Sequence, residues 1–416
     1  MTAGPVAIVG AGLAGLRCAG LLAARGVEVE VYEASDGVGG RARTDTEGGF
    51  RLDRGFQVLL TAYPEARRAL DFAALELGEF EPGAMIRSEN GFSRFSDPLR
   101  RPRSAPAALR SPVGNLSDKR RLGWMRLDLL GRSPARILSR PDLSARESLE
   151  ARGFSQGVIE RFFRPFFGGV FIDPDLSTSS RMMEIFFRCF ASGAAALPAG
   201  GMGSMAGQLA SRIEPGTVKL GRRVVEVRSD GIRLEDGDWQ AAAAVVVATE
   251  EREACRLLGT MPSAANRTTA CVYFDAPESD INGRLVVLAP PGEGPVNELA
   301  VPSSVAPGYA PHGRSLVSVS AVGAEATRED LLEAVKSQLA GWFGDSTVKG
   351  WRHLATRKVE YALPDFQPGR FRIGGRSPKL GSGVFICGDH RESPSIQGAL
   401  VSGRKAAEAI QETTSA

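Results

Sequence analysis

The feature that most constrains this sequence is a strand–turn–helix–strand pattern that ends at Glu33. The apolar run Val6–Val9 is followed at once by glycines spaced as G-x-G-x-x-G, and an amphipathic run continues to Arg25. Residues 27–32 alternate like a second strand, and Glu33 stands at its tip, where a carboxylate can bind the ribose hydroxyls of an adenosine. The glycine spacing alone would be weak evidence, but the complete series predicts a dinucleotide-binding α/β domain. The alternative is a glycine-rich turn in an ordinary α/β domain.

Each glycine of this turn has its own physical task. Gly10 allows a sharp bend, Gly12 leaves room for a pyrophosphate beside the backbone, and Gly15 allows the helix to lie close to the strand. Leu13 and Ala14 fall in the first turn of that helix, where unpaired N–H groups and the positive end of the helix dipole favour phosphate. We therefore predict that all five residues contact or support a bound dinucleotide.

The next residues narrow the class of dinucleotide. Gly39, Gly40 and Arg41 follow Glu33 after a short loop that begins at Ala34. This stretch resembles the signature of the FAD-dependent amine oxidase, protoporphyrinogen oxidase and phytoene desaturase superfamily. The resemblance implies an FAD cofactor, with the glycine pair and the arginine closing over its pyrophosphate and Ala34 among the contacts. Glycines expose backbone donors, and a guanidinium binds phosphate through fixed N–H groups.

The chain of 416 residues is long enough for two domains, and the resemblance implies how they divide. The implied fold class is α/β: a Rossmann-like FAD-binding domain of the GR2 type, with an inserted α+β substrate domain built on a mixed sheet. We expect the FAD-binding domain in residues 1–78, 197–262 and 352–416. We expect the substrate domain in residues 79–196 and 263–351.

The same resemblance implies FAD contacts in two later parts of the chain. The middle part is expected to contribute Gly55, Phe56 and Gln57 beside the isoalloxazine ring, Val224 (with Val225 the next choice) against the adenine, and Ala248 and Thr249 at the end of a buried strand. A plain β-turn is the alternative for residues 55–57. Near the C-terminus a strand leads through a loop into a helix, and the implied contacts there are Gly388, Asp389, Ser395, Ile396, Gln397 and Ala399. The N-terminus of that helix would stabilise negative charge on a reduced flavin ring.

Composition argues against several other functions. The formal net charge of +3 is too small to indicate a nucleic-acid partner. The five cysteines lack CxxC spacing and the three histidines are far apart, so we expect reduced thiols, no metal and FAD held without a covalent bond. The first strand begins at Val6 and the strongest internal apolar run, residues 241–248, is too short to span a membrane. We therefore expect a cytoplasmic protein.

Two further stretches carry alternatives. Residues 94–140 are basic with interleaved apolar side chains, which indicates either a solvated helical face or a peripheral contact with anionic lipid. Farther on, Arg164 opens the block Arg-Pro-Phe-Phe-Gly-Gly, which closely resembles a substrate-domain block of desaturase-like members of the superfamily. A buried arginine needs a partner, so Arg164 either pairs internally or faces the substrate cavity. Phe186, Phe187 and Phe190 are expected in the core.

The implied cofactor sets the reaction class. An apolar substrate, of isoprenoid or polyene type, would give hydride to flavin N5, with oxygen or a quinone as the electron acceptor. The desaturase-like branch is favoured because amine oxidases often carry a lysine where this chain has Thr268 and Thr269, and an aromatic residue where it has Ser395. Two alternatives stay open: an amine or protoporphyrinogen oxidase with other pocket residues, and a protein whose FAD is structural or supports a redox-neutral isomerisation. The sequence assigns no catalytic acid or base.

Overall fold

Strands and helices are mixed along the chain in the computed structural model, which describes residues 4–89, 91–97, 100–101, 112–262, 266–281, 283–370, 375–381 and 383–415. The strands are β1 (Val6–Val9), β2 (Val29–Tyr32), β3 (Thr44–Glu47), β4 (Phe50–Asp53), β5 (Leu59–Leu60), β6 (Gly78–Glu79), β7 (Gly83–Ser88), β8 (Gly91–Ser96), β9 (Ala195–Leu197), β10 (Val218–Lys219), β11 (Val224–Arg228), β12 (Gly231–Leu234), β13 (Trp239–Ala241), β14 (Ala244–Val247), β15 (Asn266–Pro277), β16 (Val286–Leu288), β17 (Glu298–Ala300), β18 (Arg314–Val322), β19 (Arg352–Pro364), β20 (Lys379–Gly381) and β21 (Val384–Ile386). The α-helices are α1 (Leu13–Ala23), α2 (Pro64–Ala69), α3 (Leu116–Leu130), α4 (Pro134–Leu138), α5 (Ala145–Ala151), α6 (Gln156–Val158), α7 (Arg164–Phe171), α8 (Ser180–Ser192), α9 (Gly203–Ala210), α10 (Glu251–Leu258), α11 (Pro302–Val305), α12 (Leu331–Phe343), α13 (Asp345–Lys349) and α14 (Ile396–Ser415).

The N-terminal unit lies in a six-stranded sheet with the order β10-β2-β1-β14-β21-β20. Neighbouring strands are parallel except for β20 against β21. Every residue of β1 and β14 is buried, because the central strands of a parallel sheet are covered on both faces. The predicted strand–turn–helix–strand unit is confirmed, with α1 connecting β1 to β2.

The turn between β1 and α1 has the geometry that its glycines predict. Gly10 has a φ of +107°, which residues with a side chain rarely adopt, and a Cβ on Gly15 would overlap the Gly10 carbonyl oxygen. Gly403 on α14 is equally constrained, because a Cβ there would overlap the Ala14 carbonyl oxygen. Helix α14 therefore packs directly on α1, which brings the two ends of the chain together.

The other large sheet has seven strands in the order β19-β15-β18-β17-β16-β7-β8. Its pairs are antiparallel except for β16 with β7, so the expected mixed sheet is confirmed. Its edge strand, residues 352–364, pairs with β15. Residues that the predicted division assigns to the FAD-binding domain thus extend the sheet of the predicted substrate domain. Strand β19 gave no clear signal because it is only partly buried along most of its length.

Candidate active site

One continuous cavity of about 1220 Å³ joins the β1–α1 turn to the mixed sheet. Gly10, Gly12 and Glu33 line one end, and phenylalanine side chains of α7 and α8 line the other. The volume exceeds the roughly 300–1,000 Å³ of an ordinary small-molecule site. The cavity can therefore hold two molecules side by side, such as an extended cofactor and a substrate.

At the first end, Glu33 connects the tip of β2 to the glycine turn. Its Oε2 accepts a hydrogen bond from the Ala11 N–H at 2.8 Å, and its Oε1 accepts from the Ser35 N–H at 2.9 Å. The carboxylate also borders the cavity. A Cβ built on Gly12 would meet no atom within 4 Å, so the space beside this backbone is open, as a pyrophosphate would require.

Arg41 bridges the two ends of the chain. Its Nη2 lies 2.6 Å from Asp389 Oδ1, and its Nη1 donates to the Ala362 carbonyl at 2.8 Å. The same Asp389 oxygen accepts from the His390 N–H at 3.1 Å. Arg41 borders the cavity, but two of its donors already have protein partners. Its predicted contact with a pyrophosphate therefore stays a prediction.

Farther along the wall, Gly55 faces the mixed sheet. A Cβ on Gly55 would lie 3.7 Å from Val359 Cγ2 and 3.9 Å from Thr269 Cγ2, and all three residues line the cavity. The Thr269 hydroxyl donates to the Ala321 carbonyl at 2.9 Å. Lys119 of α3 is the only lysine among the described residues that line the cavity. The strand beside Gly55 thus presents a threonine to the cavity, as the sequence predicts.

Helix α14 begins at the cavity. Ser395 precedes it and its Oγ accepts from the Gly398 N–H at 3.0 Å, which is the arrangement of an N-cap. Ser395 and Ile396 both line the cavity. The positive end of the α14 dipole therefore borders the same space as the β1–α1 turn.

Most of the predicted FAD-contact residues lie on this one cavity wall. They are Gly10, Gly12, Leu13, Ala14, Glu33, Ala34, Gly39, Gly40, Arg41, Gly55, Phe56, Gln57, Ala248, Thr249, Gly388, Asp389, Ser395, Ile396 and Ala399.

Three predicted residues are not on that wall. Gly15 lies at the contact of α1 with the Gly10 carbonyl, which suits a packing role. The Gln397 side chain instead accepts from the Glu65 N–H at 2.9 Å, at the start of α2. Val224 is 4% exposed and packs in a core cluster with Tyr32 and Val247. Its side chain points into this core in the structure, and its predicted contact with adenine stays a prediction.

The second end of the cavity is an aromatic chamber, a name used below for the part lined by Phe56, Phe80, Phe95, Phe162, Phe166, Phe186, Phe187 and Phe190. Phe186, Phe187 and Phe190 were expected to be core residues only. They pack against the core but also form the wall of the chamber. Sequence alone shows which face of α8 is apolar and does not show that this face borders a cavity.

Arg164 pairs internally, which decides the alternative left open by the sequence. Its Nε donates to the Pro174 carbonyl at 2.7 Å, and its Nη1 lies 2.8 Å from Glu160 Oε2. The glycines that follow it have a separate task. A Cβ on Gly169 would lie 2.6 Å from Glu298 Oε2, so the glycine makes room for a carboxyl group.

Sequence reasoning missed Glu298, which also lines the chamber. Burial raises the pKa of the Glu298 carboxyl to about 7, and the side chains of Asn297 and Ser320 moderate the rise. A buried carboxyl that is charged only part of the time is unusual in an aromatic chamber. The only sequence signal was a single acidic residue at the start of an apolar strand.

The residues present fit an FAD molecule. The glycine turn is open beside Gly12, Glu33 offers a carboxylate acceptor, and the N-terminal ends of α1 and α14 border the cavity. These groups suit a molecule with a ribose, a pyrophosphate and a ring that carries negative charge.

Among the described residues, no group of three metal-ligating side chains occurs. No described helix has the length and apolar character to cross a bilayer.

Comparisons with known proteins agree with this geometry. Residues 13–411 match the sequence model of the flavin-containing amine oxidoreductase family. The chain is 32% identical over 174 residues to protoporphyrinogen oxidase 2, chloroplastic/mitochondrial, of Arabidopsis thaliana, covering 41% of this chain and 33% of that protein. It is 30% identical over 197 residues to the carotenoid phi-ring synthase of Streptomyces griseus, covering 44% of this chain and 38% of that protein. The fold is similar to that of reduced UDP-galactopyranose mutase, with a TM-score of 0.72, 15% identity, and coverage of 99% and 96% of the two chains.

Proposed function

The chain belongs to the flavin-containing amine oxidoreductase family, whose cofactor is FAD, and we propose that it oxidises an apolar substrate bound in the aromatic chamber. FAD, when bound, supplies an acceptor for a hydride. We further propose that the substrate is of isoprenoid or polyene type and that oxygen or a quinone takes the electrons.

The observation that carries this proposal is the continuity of the two ends of the cavity. The residues suited to a nucleotide and the phenylalanines of the chamber line one space. An apolar molecule in such a chamber gains about 25 cal/mol for each Å² removed from water. Binding energy of this kind can position a C–H bond beside the cofactor, and positioning alone can accelerate the reaction without a catalytic base.

Reduction of the bound flavin by candidate substrates tests the proposal. Purified holoprotein should show the absorbance band near 450 nm that oxidised flavin gives, and under anaerobic conditions phytoene in detergent micelles should bleach it. An alkylamine such as octylamine should not bleach the band, because it should not reduce the flavin. Bleaching by the amine but not by the polyene would contradict the proposal.

A second candidate function, oxidation of protoporphyrinogen, is favoured by the match to the Arabidopsis protein. Anaerobic protoporphyrinogen would then bleach the flavin while phytoene would not. If none of the three compounds bleaches it, a structural flavin or a redox-neutral isomerisation is the better description of this chain.

We also propose that the FAD is held without a covalent bond. Within the described part of the chain, no cysteine lines the cavity, so no thiol is placed to attach to the ring. Acid precipitation should release all of the flavin into the supernatant. Flavin that stays with the protein pellet would contradict this expectation.

A peripheral membrane contact through α3 is a further part of the proposal. Leu116, Trp124 and Leu127 of this helix are 71%, 67% and 55% exposed. Leu116 and Leu127 also line the cavity, with Lys119 and Arg120 beside them. Exposed apolar side chains next to basic ones suit the interface of an anionic bilayer.

Vesicle sedimentation tests this contact. The wild type should bind vesicles that contain phosphatidylserine, and the double variant Trp124→Ala/Leu127→Ala should bind at least several-fold less. Leu220→Ala is the matched control, because Leu220 is also an exposed apolar residue, at 44%, but lies outside the cavity wall. Equal binding by all three proteins would overturn the contact.

A further inference from the structure

We propose that Glu298, together with Ser320, forms a polar subsite of the chamber that accepts a hydrogen bond from a hydroxyl or amino group on an otherwise apolar substrate. The subsite rests on the proposed function, because it assigns part of the recognition of the substrate to the same chamber.

The strand register places Glu298 on the chamber face of the mixed sheet. Glu298 on β17 pairs directly with Leu288 on β16 and with Ser320 on β18. Directly paired residues of antiparallel strands point to the same face of a sheet, and all three line the cavity. Glu298 therefore lies in the chamber wall between the apolar side chain of Leu288 and the hydroxyl of Ser320.

The carboxyl group is held in place by Asn297 and yet keeps an unused acceptor. Asn297 Nδ2 donates to Glu298 Oε2 and to the Pro165 carbonyl. No described residue donates a well-formed hydrogen bond to Glu298 Oε1. The buried Ser320 hydroxyl lies close enough to the Glu298 carboxyl to lower its pKa, although it makes no well-aligned hydrogen bond with a described residue. Buried polar groups normally have well-formed partners, so this pair of side chains has hydrogen-bonding capacity left for a bound molecule.

The glycine pair of the Arg-Pro-Phe-Phe-Gly-Gly block makes the subsite sterically feasible. A Cβ on Gly169 would lie 2.6 Å from Glu298 Oε2 and 2.9 Å from Asn297 Nδ2, and a Cβ on Gly168 would lie 3.5 Å from Asn297 Oδ1. A side chain at position 169 would displace the carboxyl. The block on α7 therefore leaves the space that the Glu298 carboxyl occupies.

The position of the subsite sets the shape of the molecule that fits it. Thr269 on β15 lines the cavity near Gly55, and Cys271 of the same strand pairs with Ser320. Residues two apart on a strand share a face, and neighbouring strands are about 4.8 Å apart. Strand β17 is two strands from β15, so the subsite lies on the order of 10 Å from the cofactor-side strand. The donor group of the substrate would lie at about that distance from its reacting carbon.

The electrostatic surroundings of Glu298 are nearly neutral. Burial raises the pKa of the neighbouring Cys271 thiol on β15 to about 11, and the charge of the Glu298 carboxylate adds to that rise. Asn297 and Ser320 are uncharged, and the facing residues of α7 and β16 are Gly169 and Leu288. A cationic amine would therefore meet its counter-charge at Glu298, whereas a hydroxyl needs only the acceptor.

Three probes that share an octyl chain test the subsite in holoprotein by calorimetry and by the shift of the flavin spectrum. 1-Octanol and octylamine each carry a donor, whereas octyl methyl ether does not. At pH 8 the wild type should bind at least one donor probe roughly 10-fold or more tighter than the ether, the range of a hydrogen bond to a charged group. Preference for octylamine that strengthens from pH 6 to pH 8 identifies an amine as the ligand, and pH-independent preference for octanol identifies a hydroxyl.

Two variants and a control separate the subsite from general effects. Glu298→Leu should remove the preference for donors and leave ether binding intact, while Glu298→Gln, which keeps an acceptor, should retain preference for octanol only. Glu333→Gln on the exposed face of α12 is the control and should behave as wild type. Because the pH series needs only the wild type, it tests the subsite even where a variant fails to fold.

The outcomes also distinguish the subsite from the proposed function. If the three probes bind the wild type equally at every pH, the subsite is overturned while the apolar chamber stands. If none of them binds or perturbs the flavin, the chamber is not the substrate site and the proposed function fails with it.

Discussion

Arg41 Nη2 and Asp389 Oδ1 lie 2.6 Å apart although 348 positions separate the two residues in the chain. Arg41 follows the glycine pair near the N-terminus, and Asp389 follows the last strand of the six-stranded sheet. The carboxylate is 5% exposed and the guanidinium 33%. This ion pair therefore closes the nucleotide end of the cavity from both ends of the chain.

We expect Arg41 and Asp389 to be energetically coupled. A double-mutant cycle with Arg41→Met and Asp389→Asn, measured by urea unfolding of protein without FAD, should give a coupling of about 1 kcal/mol or more, since contacting charged residues couple by roughly 0.5–3 kcal/mol. Each single variant should also bind FAD more weakly. Additive effects of the two substitutions would contradict the pairing.

Three glycines of one turn and helix should respond to alanine in three different ways. Gly12→Ala should fold normally, because a Cβ there meets nothing within 4 Å, but should lose FAD affinity because the methyl group occupies the open space. Gly15→Ala should lose about 1–3 kcal/mol of stability through the clash with the Gly10 carbonyl. Gly20→Ala, also without neighbours, should stabilise α1 by up to about 1 kcal/mol. Thermal unfolding and FAD titration of each variant check the series.

Glu33→Ala should weaken FAD binding by roughly 10- to 100-fold, the range expected when a charged acceptor is lost. The variant also removes the acceptor for the Ala11 N–H, so some loss of order in the glycine turn is part of the effect. Fluorescence titration of the apoprotein with FAD measures it. Glu28→Ala, at an exposed position just before β2, is the control; full FAD affinity in Glu33→Ala would refute the role of Glu33.

The nucleotide end of the cavity could be predicted from sequence because it depends on local features of the chain. The aromatic chamber was difficult to predict because it depends on the pairing of strands that are far apart in sequence. Gly10, Gly12 and Glu33 act through backbone angles and short loops, so a spacing of a few residues identifies them. Glu298 faces the chamber only because β17 pairs with β18 and β16, and no local pattern encodes that register. The core position of Val224 was hidden for the same reason, since the packing of β11 on the core decides where its side chain points.

Asp53 should make stability depend on pH in the direction opposite to that of a carboxylate whose pKa an ion pair lowers. It is 5% exposed, and burial raises its pKa to about 6, against hydrogen bonds from Thr44, Tyr309 and the Met202 N–H that favour the charged form. Because the folded-state pKa lies above the ordinary value near 3.8, the folded protein holds the proton more tightly than the unfolded chain does. The resulting stabilisation is complete below about pH 4 and is lost as the pH rises through about 6.

The variant Asp53→Asn is neutral at every pH and should therefore gain stability relative to wild type between pH 4.5 and pH 7.5. The expected gain is roughly 1–3 kcal/mol across that window, measured as the difference in free energy of unfolding by urea at each pH. Asp236→Asn, on an exposed turn between β12 and β13, is the control and should show no such trend. A difference between Asp53→Asn and wild type that stays constant with pH would mean that Asp53 is ionised throughout, because its three hydrogen-bond donors would then outweigh the cost of burying the charge.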